Sequence, residues 1–139
     1  VTEATAERMV PRETPETREF WAGARRGELV LQRCGPCQRP YFFPRPTCPN
    51  CGSSDVRWEP MSGRAQLCSY IISHRPAPGY TPPYVIALVT LDEGPRMLSN
   101  LVDVDPSPEA LALDMPLQVR FEWRGDTALP VFAPVEEVR

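Results

Sequence analysis

The sequence predicts a mainly β fold in two parts, a small metal-stapled ribbon and a compact barrel, entered through one short helix. Three observations predict it. Four cysteines stand in two Cys-x-x-Cys pairs, Cys34-Gly-Pro-Cys37 and Cys48-Pro-Asn-Cys51. Eighteen prolines in 139 residues exclude long uninterrupted helices. Beyond residue 62 the cysteine pairs end, and short β-rich segments recur between turn residues.

Two residues between paired cysteines let a tight turn bring both sulfurs to one ion, and two such pairs supply the four soft ligands of a tetrahedral structural zinc. Cys34, Cys37, Cys48 and Cys51 are therefore the predicted ligands of one Zn2+ per chain, in a rubredoxin-like ribbon. Gly35 and Gly52 are expected to relieve the backbone where it bends around the metal. A site closed by four protein ligands stabilises the fold and does no chemistry. The competing reading, a redox or disulfide-bonded dithiol pair, expects a βαβ setting at a helix start, whereas Pro49 and Gly52 punctuate a knuckle.

All fifteen basic residues are arginines, which bars Schiff-base and lysine general-base mechanisms. Residues 1–64 carry ten Arg against eight acids, and residues 65–139 carry five Arg against ten. The metal-binding half is thus mildly basic and the barrel half acidic. No apolar run approaches a membrane span, and the first residues lack the apolar core of a secretory signal. Reduced, metal-bound cysteines with an odd fifth thiol fit a cytoplasmic protein. The chain starts at Val1, which together with its polar beginning suggests a domain cut from a longer polypeptide.

Residues 1–14 read as a flexible arm that orders only against something else. Residues 15–61 form the helix and ribbon. Thr14 is the predicted N-cap, Pro15 the first helical residue and Gly27 the stop, with Phe20, Trp21 and Ala24 on one apolar face. Glu28–Arg33, Pro40–Phe43 and Val56–Met61 are the expected ribbon strands, with Trp58 as the anchor of the third. The aromatic run Tyr41-Phe42-Phe43 lies on the hairpin between the ligand pairs. It is expected to pack around the metal module, with any exposed part offering a partner contact together with Arg45.

Residues 62–139 form the barrel. Its expected strands are Arg64–His74, Tyr84–Asp92, Arg96–Val104, Leu117–Arg124 and a short piece at Pro130–Phe132, with a helical insert at Ser107–Leu113. Five short strands of this size suggest a Greek-key OB-fold. The nearly continuous apolar run Tyr84–Leu91 is read as a central strand with few wet positions.

Groups for catalysis are scarce. His74 is the only histidine and ends a predicted strand, where a plain structural role is the simpler reading. Cys68 sits mid-strand with no basic neighbour to lower its pKa, and is read as inert. Asp92, Glu93, Asp103 and Asp105 stand at strand ends, where carboxylates are usually solvated turn residues. The loop Arg75–Pro83 differs, because prolines stiffen it and Tyr80 gives it an apolar tip. A stiff loop loses little entropy on docking, so Tyr80 joins the candidate partner or ligand contacts.

Taken together, these pieces resemble the acyl-CoA-associated zinc-ribbon/OB-fold proteins, a domain of unknown function found beside thiolases. The resemblance covers nearly everything from Pro15 to Pro134. It rests on Arg18-Glu19-Phe20-Trp21, on Gly27 to Cys34, on both cysteine pairs with Pro44-Arg45-Pro46 between them, and on Ser62-Gly63-Arg64. His74-Arg75-Pro76, Pro83 to Val89 and Leu91 to Arg96 complete it. Ala65 departs from the glycine common there.

The resemblance implies an accessory subunit, not an enzyme, that docks on a thiolase-fold enzyme or bridges it to an acyl-CoA hydratase. One branch is joined to the hydratase subunit of bacterial steroid side-chain degradation, whose partner is a thiolase-like aldolase. Arg25, Arg26, Arg39 and Arg45 are candidates to face the phosphates of a coenzyme A thioester. The alternative function is single-stranded nucleic-acid binding, which zinc ribbons and OB barrels also serve. A net charge of −3 and an acidic barrel remove its electrostatic basis.

Overall fold

The computed structural model describes residues 8–135. Helix α1 (Arg18–Arg25) leads to the strands β1 (Val30–Cys34), β2 (Pro40–Tyr41) and β3 (Val56–Pro60). The barrel strands follow: β4 (Arg64–Ser73), β5 (Tyr84–Leu91), β6 (Arg96–Leu101), β7 (Pro116–Arg124) and β8 (Thr127–Pro134).

The helix begins later than its sequence signals predict. Thr14 and Thr17 bond to each other, hydroxyl to hydroxyl at 3.0 Å and Thr17 N–H to the Thr14 carbonyl at 3.0 Å, which closes a separate turn. Thr17 is consequently the N-cap, with its hydroxyl committed to that turn and not to the helix. The predicted stop holds. Gly27 has φ +81°, Glu28 N–H donates to the Gly23 carbonyl at 2.8 Å, and Gly27 N–H donates to Ala24 at 2.9 Å. These are the two bonds of a Schellman cap. Phe20, Gly23 and Ala24 face inward, and a Cβ on Gly23 would stand 2.6 Å from Val30 Cγ2. The helix can therefore lie close against the start of β1.

β1 is the centre of the ribbon, paired antiparallel with β2 on one side and β3 on the other. The barrel closes in the order β4-β5-β6-β8-β7, and β7 returns to β4. Counted within the barrel this is 1-2-3-5-4, with a parallel contact of β6 and β8 at Leu101 and Phe132. Five strands closed in this way form the predicted OB-fold.

The segment between β6 and β7 is not helical, which corrects the insert expected at Ser107–Leu113. The segment forms short turns such as Ala110 N–H to the Ser107 carbonyl at 3.1 Å, and Asp114 ends it at φ +68°. Leu111, buried in the core, pins the segment to the barrel.

One hydrophobic core serves both halves. Phe20 from the helix and Leu29 and Leu31 from the ribbon pack with Leu67, Val89 and Phe132 of the barrel. The knuckles are separate, with Cys34, Tyr41 and Cys48 packed against Val56 and Cys37 and no larger apolar residue buried with them. Burial fixes the ribbon base, whereas its tip depends on the cysteines.

Candidate metal centre and apolar docking face

The two knuckles repeat one backbone design. Gln38 N–H donates to the Cys34 carbonyl at 2.9 Å, and Gly52 N–H donates to the Cys48 carbonyl at 2.8 Å. Each donor follows the second cysteine of its pair and has positive φ, +63° at Gln38 and +82° at Gly52. Gly52 therefore acts as predicted, whereas Gly35 has a different purpose. A Cβ at Gly35 would overlap the Asp55 carboxylate, so glycine there makes room for the approach of the third strand.

Nothing lies within 4 Å of a Cβ built on Gly52, so its substitution tests the backbone alone. Gly52→Ala is expected to lower stability by about 1 kcal/mol with zinc retained. Thermal unfolding with metal analysis checks it, and an unchanged melting temperature would count against a φ requirement.

The four sulfurs all lie within 4.8 Å of one another. Cys34 and Cys51 are 3.4 Å apart, and Cys37 and Cys48 are 3.7 Å apart. A disulfide needs about 2.05 Å. Four sulfurs at a zinc–sulfur distance of about 2.3 Å span a tetrahedron with edges of about 3.8 Å. The observed spacing fits one zinc ion held by Cys34, Cys37, Cys48 and Cys51.

The surroundings prepare these sulfurs unequally. The Cys37 N–H favours the Cys34 thiolate, but burial and the other three sulfurs push its pKa up to about 12. The Arg39 N–H holds Cys37 down to about 6. Cys48 is penalised by burial, yet the N–H groups of Cys51 and Asn50 lower its pKa, the latter at 3.3 Å from its sulfur. A dication supplies what the remaining thiols lack, and its binding releases their protons.

Tyr41 belongs to this module. It is 7% exposed and donates its hydroxyl to the Arg45 carbonyl at 3.0 Å. Burial, followed by the Cys48 and Cys34 sulfurs, raises its pKa and keeps it a neutral donor. Tyr41 is thus the part of the aromatic run that packs around the metal module, and its ring supports the loop from within. The Arg45 N–H in turn donates to the buried Gln32 side chain at 2.7 Å, so the backbone of Pro44–Pro46 is fixed from both sides.

The other aromatic candidates face elsewhere. Phe42 packs on Phe20 at 5.5 Å between ring centroids, and Phe43 stands edge-on to Phe42 with 54% of its surface exposed. Together with Trp21, Leu98 and Val131 they line an open apolar groove of about 390 Å³. Tyr80 also lines this groove and borders a second depression of about 300 Å³ that contains Tyr84, Ile86 and Leu98.

Sequence reading missed Leu98, which is 68% exposed between the two depressions. A signal was present. Along β5, Val85, Ala87, Val89 and Leu91 are buried, while Ile86 and Leu88 point outward and are only half-buried. The continuous apolar run therefore marks a strand paired on both sides with few wet positions, as expected, none of its residues being exposed, and its half-buried outer face is apolar as well. Leu88 pairs with Leu98, and Ile86 with the exposed Ile71. His74 is exposed at the end of β4, and Cys68 occupies a β-bulge between Leu67 and Ser69.

A closed four-cysteine ribbon on a 1-2-3-5-4 barrel defines a zinc-ribbon/OB-fold protein. Two family models divide the chain accordingly: the rubredoxin-like zinc ribbon domain of ChsH2 matches residues 21–57, and the C-terminal OB-fold domain of ChsH2 matches residues 58–122. The chain belongs to this ChsH2-type DUF35 family.

Its relatives include a probable enoyl-CoA hydratase alpha subunit of Thermomonospora curvata, 40% identical over 118 residues that make up 83% of this chain and 36% of that protein. The 3-oxo-4,17-pregnadiene-20-carboxyl-CoA hydratase alpha subunit of Mycobacterium tuberculosis is 35% identical over 92% of this chain and 40% of its own length. The chain thus spans well under half of these proteins. A DUF35 domain-containing scaffold protein of Pyrococcus furiosus is 41% identical over 76 residues, 52% of this chain and 56% of that one. Among solved structures, a chain of the Ltp2-ChsH2(DUF35) aldolase superposes with TM-score 0.80 and 36% identity, covering 90% of this chain and 98% of that one.

Proposed function

We propose that the protein is a non-catalytic accessory module that docks on a thiolase-fold aldolase acting on acyl-CoA substrates, as in bacterial steroid side-chain degradation. The observation that carries this reading is the close likeness, over almost its whole length, to the chain of the Ltp2-ChsH2(DUF35) aldolase. The chemistry agrees. The four clustered cysteines satisfy one metal, and the chain has no lysine and one histidine, exposed at a strand end. The docking face is the apolar surface formed by Phe42, Phe43, Leu98 and Tyr80, with Arg45 at the neighbouring loop.

Exposed apolar side chains gathered around a groove are the usual anchors of a protein interface. Leu98→Asp and Phe43→Asp test the docking face. Each is expected to weaken co-purification of the aldolase at least about tenfold, whereas Leu113→Asp, also exposed but on the β6–β7 segment, leaves it unchanged. Undiminished binding by both groove variants would move the interface elsewhere.

A further inference from the structure

Residues 8–10 lie across the loop between β4 and β5 and the hairpin between β7 and β8, tied down by side chain and backbone alike. The Arg8 guanidinium stacks on the Tyr80 ring at 4.0 Å from its centroid, and Arg8 Nε donates to the Gly79 carbonyl at 2.9 Å. Arg8 also pairs with Glu122. From the hairpin, Arg124 reaches back: Nη1 donates to the Met9 carbonyl at 2.7 Å and Nη2 to the Tyr80 hydroxyl oxygen at 2.5 Å. The Arg124 side chain is only 11% exposed, so these contacts are built into the surface.

Gly79 shows how tight the contact is. It has φ +80°, and an added Cβ would overlap the N and Cα atoms of Arg8. Glycine is thus required both by its conformation and by the strap above it. Within the loop, Tyr80 N–H donates to the Ala77 carbonyl at 2.8 Å, which leaves the rest of the tip to be held from outside.

We infer that residues 8–10 are a positioning strap: Arg8, acting with Arg124, holds Tyr80 in the wall shared by the two apolar depressions. The contacts of Arg8 are with Gly79 and Tyr80 of the loop and with Glu122 of β7. Its role is to fix a loop whose own residues, rich in proline, bond little to one another. A displacement at residue 8 is transmitted to Tyr80 and Arg124, and through Tyr80 to the wall of the two depressions.

Amide hydrogen exchange of the full chain tests this. In Arg8→Ala, exchange at Tyr80, whose N–H bonds the Ala77 carbonyl, is expected to accelerate about tenfold while core amides of β4 and β5 stay unchanged. Arg8→Lys, which keeps the charge but not the planar stack or the Nε bond, is expected to fall between Arg8→Ala and the parent. Arg12→Ala, an exposed neighbour, serves as the control. Unchanged exchange in the loop of Arg8→Ala would overturn the inference. So would acceleration spread equally through β4 and β5, because Arg8 would then support overall stability and not the loop.

Discussion

Replacing Cys48 with serine is expected to release the zinc and unfold residues 35–55 while the barrel remains folded. The knuckles bury little besides their own sulfurs, Tyr41 and Val56. Structural zinc contributes about 10–16 kcal/mol in isolated zinc-finger peptides, more than the total stability of many domains. No apolar packing replaces it at the ribbon tip. The base differs, because Leu29 and Leu31 belong to the barrel-side core. Metal analysis should show the loss of one zinc per chain. Nuclear magnetic resonance should show collapsed dispersion for residues 35–55 and native shifts for β4 to β8. Cys37→Ser is expected to behave in the same way. A variant that keeps its ribbon signals without metal would contradict this division.

The second large effect is expected from Leu31→Ala. Leu31 lies on a ribbon strand, is 1% exposed, and packs in the cluster that contains Leu67 and Phe132. Removing it opens a cavity in the shared core, at a cost of about 2–5 kcal/mol. Because that core spans both halves, urea unfolding followed by Trp58 fluorescence, in a background with Trp21→Phe and Trp123→Phe, and by far-ultraviolet circular dichroism should shift together in one transition. Separate transitions, with the barrel midpoint unmoved, would show that the ribbon base and the barrel do not share a core.

The barrel was legible because its strands alternate and its turns are marked. Tyr84–Leu91 and Arg96–Leu101 begin where the sequence places them, and β4 ends within a residue of expectation. The zinc site was legible because four ligands at this spacing have few other uses. Local signals failed where a stronger local competitor or a distant contact decided the outcome. Thr14 offers a good N-cap, but its hydroxyl is engaged with Thr17. Ser107–Leu113 has helical composition, but the segment runs as turns, with Leu111 held in the barrel core.

Tyr41 and Phe43 show the limit of composition. Both are aromatic and lie two residues apart, yet Tyr41 serves the metal module from within and Phe43 is half exposed on the groove. Only the fold separates them. Arg8 makes the same point over a longer distance. Its partners Gly79, Tyr80 and Glu122 are more than seventy residues away in sequence, and no local pattern announces them.

The docking reading is tested most directly by native mass spectrometry of this chain recovered from cells that also produce the thiolase-fold aldolase. The predicted result is one complex containing both proteins, with one zinc for each copy of this chain. Repeated recovery of the zinc-loaded chain alone, beside free aldolase, would contradict it.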